Sequence, residues 1–146
     1  MKTRNKRIYT GFSLLLVFLL IFLAIFYRDF QTVAVNGDSM LPTFQSGQRV
    51  LVSKAYWLVG PIRDNDVVVI KGTKPGEYLI KRVYRMAGEE VDLLNVPSDY
   101  LITKGRYIVP PGTVYVLGDN LPVSEDSRKY GPFDLDDILG KVVLRR

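Results

Sequence analysis

The sequence predicts a mainly β protein, with an antiparallel, barrel-like sheet domain behind one N-terminal transmembrane helix. An uncharged apolar run, Ile8 to Tyr27, comes first in the chain. From Arg28 onward, short runs rich in β-branched and aromatic residues alternate with turns that contain glycine or proline. The chain has 146 residues. The roughly 115 residues beyond the apolar run are enough for one modest hydrophobic core.

Residues 8–27 are long enough to cross a membrane. Twenty residues of helix span about 30 Å, the thickness of the hydrocarbon core of a bilayer. A cleaved signal peptide is the alternative, but its apolar region usually runs only about 7 to 15 residues and ends at a small-x-small site. No good site of that kind lies between Leu23 and Gly37. We therefore expect 8–27 to be a retained anchor.

The charges on either side of this run predict its orientation. Four cations precede it, whereas Arg28 follows it beside Asp29. Positive charge next to a transmembrane helix favours the cytoplasmic side. We therefore expect residues 1–7 to form a cytoplasmic basic N-terminus and residues 28–146 to form a domain on the outer face. The four cations are Lys2, Arg4, Lys6 and Arg7.

Beyond the anchor, eight runs rich in valine, isoleucine, leucine and tyrosine are predicted to form strands. Turn sequences such as Ser46-Gly47 separate them. One short helix is predicted at Leu135–Leu139, with Asp134 as its N-cap and Gly140 as its stop. In chain order, the predicted strands are Val33–Val35, Arg49–Val52, Val67–Ile70, Tyr78–Tyr84, Val91–Leu94, Tyr107–Val109, Thr113–Leu117 and Lys141–Leu144.

One apolar segment, Tyr56–Ile62, has no clean periodicity. It has two interpretations. On a domain tethered to a bilayer it could dip into the interface, where Trp and Tyr are favoured. Alternatively, it packs as an edge onto the core.

Composition excludes several classes of function. The net charge is +5, but without the four N-terminal cations sixteen cations remain against fifteen anions, which gives no case for nucleic-acid binding. The chain contains no cysteine and no histidine. Zinc sites of the Cys/His type, iron–sulfur clusters and disulfides are therefore excluded. Ser-His and Cys-His nucleophile pairs are excluded too, so covalent hydrolysis would need a serine or threonine activated by lysine.

Lys81 is a candidate for such a base. Lysine has an ordinary pKa of about 10.4 and accepts a proton near pH 7 only if burial lowers that value by roughly 3 units. In a strand, Lys81 shares one face with Leu79 and Val83, while Arg82 points to the other. Two apolar neighbours on its own face are the setting that such burial requires.

Ser39 is the candidate nucleophile, because its surroundings constrain the backbone. Gly37 permits unusual backbone angles, and Pro42 fixes its own φ while biasing Leu41 toward extended geometry. Asp38 can bond to nearby amides. Such a turn could present the Ser39 hydroxyl and aim the Ser39 N–H at a developing oxyanion.

Four segments of the chain together resemble the conserved boxes of the type I signal peptidases. The segment 37–43, GDSMLPT, looks like their nucleophile box, and 78–83, YLIKRV, is similar to their lysine box. The segment 64–69, DNDVVV, resembles the strand between these two. The segment 118–131 resembles the last box, GDN followed by SxDSRxxG. The four occur in the family's order, behind an anchor.

The resemblance implies roles for individual residues. Ser39 would be the nucleophile, with its N–H in the oxyanion hole, and Lys81 would be the general base. Ser124 would hydrogen-bond to the Lys81 amine and orient it. The remaining residues would support the site through backbone shape and structural ion pairs; they are Gly37, Pro42, Arg82 with Asp119, and Asp126 with Arg128.

Three positions depart from the family pattern. Some members have a serine where Gly37 stands and use its hydroxyl as a second oxyanion donor, so that donor is missing here. Ala87 stands where a proline is usual, which affects only a turn. Leu121 replaces the usual arginine after GDN, a change that we expect to be tolerated.

The resemblance implies a single-pass serine endopeptidase of the cytoplasmic (inner) membrane that removes signal peptides from exported preproteins. Its partners would be preprotein signal peptides and membrane lipid, with protein export machinery as a further partner, and it would need no metal or organic cofactor. One alternative is a noncatalytic anchored module that binds peptides, although a lysine kept on an apolar face is costly without a use. A self-cleaving Ser/Lys repressor is another alternative, but it would carry an N-terminal DNA-binding domain, where this chain has an apolar run that is expected to span a membrane.

Overall fold

The computed structural model describes residues 2–72, 76–101 and 105–145. The chain begins with one long helix, α1, Lys2–Asp29, and the first strand, β1, Phe30–Ala34, follows without a linker. The stretch Gly11–Asp29 has a mean hydropathy of 2.3 and none of it is buried against the rest of the chain. It is long and apolar enough to cross a membrane, as the sequence predicts.

Six further strands complete the main sheet: β2, Arg49–Ser53; β3, Val67–Lys71; β4, Tyr78–Met86; β7, Thr113–Leu117; β8, Phe133–Asp134; and β9, Ile138–Arg145. They lie in the order β1-β2-β9-β3-β4-β7-β8, and each neighbouring pair is antiparallel. The sheet curls into a half-barrel. The predicted fold class, a mainly β antiparallel sheet behind one apolar helix, is confirmed.

The smaller elements lie in the connections of this sheet. β5, Glu90–Val91, and β6, Tyr107–Ile108, form a separate two-stranded antiparallel sheet. The described part of the chain also contains two single-turn helices, α2, Tyr56–Val59, and α3, Ser127–Tyr130.

The strand β4 contributes apolar side chains to both faces of the sheet. Ile80 belongs to a core cluster that includes Val33, Met40 and Phe44 from the chain around β1. Val83, with Leu79 packed against the same group, belongs to a cluster on the other side. The alternation predicted for this strand is therefore confirmed.

Two predicted elements differ in the structure. The helix predicted at Leu135–Leu139 is wrong, because only Leu135–Asp137 form a 3-10 turn before β9 begins at Ile138. Ile138 and Leu139 are buried in the sheet core, and this burial outweighs the weak helix signal. The strand predicted at Val91–Leu94 ends at Val91, because an Asp92 carboxylate oxygen accepts from the Leu94 N–H at 3.0 Å and forms a turn.

The apolar segment after β2 is exposed at its centre. Trp57 is 76% and Leu58 61% exposed, whereas Tyr56 and Val59 on the same turn are half-buried. Packing as an edge onto the core is therefore wrong for Trp57 and Leu58.

Candidate active site

The loop that carries Ser39 connects β1 to β2 and is fixed from within. The Gly37 N–H donates to Ser46 Oγ at 3.2 Å, and Gly37 has a φ of +83°, which favours glycine. The Phe44 N–H donates to the Met40 carbonyl at 2.9 Å, and both of these side chains are buried in the core. The structure therefore holds the backbone on either side of Ser39.

A second segment clamps the same loop. The Asn120 N–H donates to the Ser39 carbonyl at 2.9 Å, and Asn120 Nδ2 donates to the Asp38 carbonyl at 3.0 Å. These bonds join segments that are about eighty residues apart in sequence. Asn120 belongs to the GDN motif of the last box, but the sequence predicted no role for it. Pro42 lies exposed in the same loop, after a cis peptide bond.

Lys81 reaches Ser39 from the middle of β4. Lys81 Nζ donates a hydrogen bond to Ser39 Oγ at 2.8 Å, and the lysine is only 3% exposed. The residue directly opposite Lys81 on the neighbouring strand β3 is Val68, which is fully buried. The two residues that the sequence singled out, 42 positions apart, are therefore in direct contact.

Burial sets the protonation of this amine. Loss of hydration lowers the pKa of Lys81 below its ordinary value, and Arg128 lowers it further. The carboxylates of Asp126 and Glu125 act in the opposite direction, but burial has the larger effect. The result is an amine that releases its proton more readily than a solvated lysine.

Ser124 lies on the far side of the same site. Its Oγ is buried, and it lies close enough to Asp126 to help hold the pKa of that carboxylate below its ordinary value. The hydroxyl packs over Gly118, where a Cβ would lie 2.1 Å from Ser124 Oγ and 2.5 Å from the Ser39 carbonyl. Gly118 therefore lets Ser124 and Ser39 approach each other. The role of Ser124 in orienting the Lys81 amine stays a prediction.

Arg82 points away from Lys81, as the strand alternation predicts. Its guanidinium makes a bidentate contact with Asp119, with Nε to Oδ1 at 2.7 Å and Nη2 to Oδ2 at 2.6 Å. Arg82 Nη1 also donates to the Asn65 carbonyl at 2.9 Å. Burial alone would raise the pKa of Asp119, but hydrogen bonds from Arg82 and Thr43 hold it below its ordinary value. This pair ties β4 to the segment that bears Asn120.

In the second predicted ion pair, Asp126 with Arg128, the aspartate is buried. Asp126 is 0% exposed, and Arg128 donates to both of its carboxylate oxygens at 2.9 Å. The Gly118 N–H donates to the same carboxylate at 3.0 Å. Burial acts to raise the pKa of Asp126, yet the bonds from Arg128 and Gly118 hold it below its ordinary value. The pair therefore lies within the wall of the site and is not a surface pair.

An open groove of about 540 Å³ exposes the Ser39–Lys81 contact to solvent at one side. For four of its lining residues, Asn36, Asn120, Val123 and Glu125, the sequence predicted no role, although the last three belong to the last box. The groove is lined by Asn36, Gly37, Asp38, Ser39, Leu41, Leu79, Lys81, Asn120, Val123 and Glu125.

The geometry of the site is suited to nucleophilic attack by a serine hydroxyl. A serine hydroxyl in contact with a buried amine, at the wall of an open groove, can attack a bound carbonyl group when the amine is neutral. Among the described residues there is no group of three or more acidic, histidine or cysteine side chains that could hold a metal ion. The arrangement defines a candidate serine hydrolase site.

Comparison with known proteins gives the family. The model of the family described as "Signal peptidase, peptidase S26" matches residues 8–97 and 94–146. The chain belongs to this signal peptidase family of peptidases. It is 33% identical to a signal peptidase I of Bacillus caldolyticus, with 80% of this chain and 79% of that protein covered. It is 30% identical to a signal peptidase IB of Staphylococcus aureus, with 76% and 74% covered.

A solved structure is also similar. It is a signal peptidase I from Enterococcus faecalis, with 22% sequence identity and a TM-score of 0.45. The alignment covers 57% of this chain and 97% of that one.

Proposed function

We propose that the protein is a membrane-anchored serine endopeptidase that removes N-terminal signal peptides from exported preproteins through a Ser39–Lys81 pair. The observation that carries the proposal is the 2.8 Å contact between Lys81 Nζ and Ser39 Oγ, made by a lysine that is only 3% exposed. Family membership supports signal peptides as the substrates.

The proposed reaction is an acyl transfer. Neutral Lys81 takes the Ser39 proton as Oγ attacks the scissile carbonyl, and a tetrahedral intermediate forms. The Ser39 N–H donates to the developing oxyanion. The intermediate collapses as the new amino terminus leaves with the proton from Lys81, and a water activated by the same amine then hydrolyses the acyl enzyme. The chemistry requires no metal or organic cofactor.

Ser124 and the two ion pairs have supporting roles in the proposal. Ser124 Oγ, buried beside the Asp126 carboxylate, would orient the Lys81 amine. The pairs Arg82–Asp119 and Asp126–Arg128 hold the walls on either side.

The proposal also places the chain in the cell membrane. Residues 8–27 would span it once, with residues 1–7 in the cytoplasm and residues 28–146 on the outer face. The apolar length of α1 and the excess of cations before it support this arrangement. Tethering the enzyme in the bilayer that holds its substrates raises their effective concentration. Export machinery in the same membrane would deliver the preproteins.

The direct test is cleavage of a purified preprotein by the detergent-solubilised full chain, beside Ser39→Ala, Lys81→Ala and Lys81→Arg. We expect all three variants to lose processing, since arginine keeps the positive charge but cannot release its proton near neutral pH. Ser98→Ala, at an exposed serine outside the groove, is the matched control and should cleave normally. Normal cleavage by Ser39→Ala or Lys81→Ala would disprove the proposed mechanism.

A further inference from the structure

A second cavity adjoins the groove that holds Ser39 and Lys81. Its volume is about 230 Å³, and it lies at the start of β4. Leu79 and Glu125 line both the cavity and the groove, so the two spaces meet at this pair of residues. The proposed mechanism uses only the groove. The cavity can therefore receive a part of the substrate that lies away from the scissile bond.

The walls of the cavity combine apolar surface with charge. Tyr130 and Phe133 line it together with Leu79, and both Phe133 and Leu79 pack against the core cluster beneath. Lys71 and Glu77 line it with opposite charges. A side chain with an apolar stem and a charged end matches walls of this kind, because the stem packs while the charge stays solvated. Lysine and arginine are the side chains with that build.

The charge of the groove selects the sign of that end. Asp38 and Glu125 are its carboxylates, and Lys81 is the one cation among the described residues that line it. Lys81 is neutral when it acts as the proposed base, so the groove then carries two negative charges and no positive one. A negative groove attracts a cationic side chain and repels an acidic one.

Glu125 is the carboxylate at the boundary between the two spaces. It accepts a hydrogen bond from the Tyr130 hydroxyl at 2.5 Å and pairs with Lys129, one turn further along the chain. Its side chain is 60% exposed, so a cation in the cavity or the groove can reach it. The charge of Glu125 also acts across the groove, where it opposes the lowering of the Lys81 pKa by burial.

We propose that Glu125 and the adjoining cavity form a subsite for a lysine or arginine side chain of the preprotein. This inference rests on the proposed function and adds a preference within it. The stem of the bound side chain lies against Leu79 and Tyr130, and its cation pairs with Glu125. Leu79 precedes Lys81 by two residues on β4, and an extended chain advances about 3.3 Å per residue. The preferred position is therefore two to four residues from the scissile bond.

Peptides of one cleavable sequence, incubated with the detergent-solubilised full chain, test this preference. At the second, third and fourth positions on either side of the scissile bond, one peptide carries lysine and its partner carries norleucine, which has a similar stem without the amine. At one of these positions we expect kcat/KM to favour lysine about fivefold, as for an exposed charge pair, and the ratio to fall as salt rises. Equal values of kcat/KM for lysine and norleucine at every position would overturn the inference.

Three variants identify the partner of that lysine. Glu125→Gln keeps the shape of the side chain without its charge, so the ratio should fall to about one. Lys129→Gln removes the cation that pairs with Glu125, so the ratio should rise. Glu90→Gln is the matched control, because Glu90 also pairs with a surface cation, Arg106, and lies outside both spaces; it should keep the ratio. A ratio that Glu125→Gln preserves, or that Lys129→Gln lowers, would overturn the inference.

The ratio separates this preference from the catalytic step. Glu125→Gln also removes a charge that raises the pKa of Lys81, but both peptides depend on the same amine, so this effect cancels in the ratio. If no peptide is cleaved, the proposed function fails and the subsite with it. If the norleucine peptides are cleaved and lysine is not preferred, the subsite alone is disproved.

Discussion

At the scale of the residue, two opposing effects set the pKa of Lys81. Burial disfavours its charged form, while the carboxylates of Asp126 and Glu125 favour it, and burial has the larger effect on the pKa. Asp126 is engaged by Arg128 and by the Gly118 N–H, which limits its attraction for the amine. Under the proposed mechanism, the Asp126–Arg128 pair would thus help to keep Lys81 available as a base.

We expect the rate of processing to rise with pH through the lowered pKa of Lys81. Below that pKa the amine is protonated and cannot take the Ser39 proton. The profile of kcat/KM against pH should therefore show an ascending limb below 10.5, the ordinary value for lysine. A profile without an ascending limb in this range would contradict the assignment of Lys81 as the base.

The same shift predicts how stability depends on pH. The folded chain holds the Lys81 proton less tightly than the unfolded chain, whose lysine has the ordinary pKa of 10.5. Between the lowered value and 10.5 the unfolded state binds more protons, so this group makes the free energy of unfolding rise with pH. We expect Lys81→Met to remove this slope and to stabilise the protein near pH 7. Denaturation at several pH values, with the unchanged chain alongside, measures the difference.

Asp126 should matter far more for stability than its neighbour Glu125. Removing the Asp126 carboxylate leaves Arg128 and the Gly118 N–H without their partner, so Asp126→Ala should lower the free energy of unfolding by about 3 kcal/mol. Glu125 pairs with Lys129 at the surface, so Glu125→Ala should lower the free energy of unfolding far less. Equal losses in denaturation experiments would contradict the structural role of Asp126.

At the scale of the element, two glycines lie where there is no space for a side chain, and adding one would disturb different parts of the molecule. A Cβ on Gly118 would meet Ser124 Oγ at 2.1 Å and the Ser39 carbonyl at 2.5 Å. A Cβ on Gly140, in β9, would meet the Ser53 carbonyl at 2.6 Å, on the β2 side of the sheet. Crowding at Gly118 would displace the backbone and side chains of the site, whereas crowding at Gly140 would displace only strands of the sheet.

We therefore expect Gly118→Ala and Gly140→Ala to separate activity from stability. Each should destabilise the fold by about 1 to 3 kcal/mol, as overpacking does. Only Gly118→Ala should also lower kcat for preprotein cleavage at a temperature where both variants stay folded. A matching fall in kcat for Gly140→Ala would contradict this separation.

The strands that carry strong apolar alternation and glycine turns such as Ser46-Gly47 were predictable from the sequence, whereas the Asp92 turn after β5 and the cap of α3 were not. In β4, the neighbours of Lys81 alternate between two cores, which is why its burial could be predicted. The contact of Lys81 with Ser39 follows from the order of strands in the sheet, for which the sequence contains no local signal. Likewise, α3 begins at Ser127 because the Asp126 side chain accepts a hydrogen bond from the Arg128 N–H and caps the helix. The sequence analysis assigned Asp126 and Arg128 only to an ion pair, so it did not predict this cap.

At the scale of the whole molecule, charge is distributed unevenly along the chain. Four cations lie ahead of the apolar stretch of α1, and the rest of the chain is nearly neutral. In the proposed arrangement, this asymmetry would set the orientation of the helix, and it gives the domain no strong electrostatic field of its own.

Removing that asymmetry should disturb the orientation. With Lys2, Arg4, Lys6 and Arg7 all changed to glutamine, we expect a smaller fraction of chains with the domain on the outer face. Protease added outside intact spheroplasts measures this fraction, because only an outward domain is digested. The same four changes made to alanine should give the same result, since charge and not amide chemistry sets the orientation. An unchanged fraction would contradict the positive-inside assignment.

The junction at Asp29 and Phe30 has one more consequence. Helix passes into strand there with no intervening residue, and Ser39 follows only a few residues beyond the strand. If α1 spans a bilayer as proposed, Ser39 would therefore stay close to one height above the lipid. Under the proposed function, the chain would therefore cut only where a preprotein brings its scissile bond to that height above the lipid.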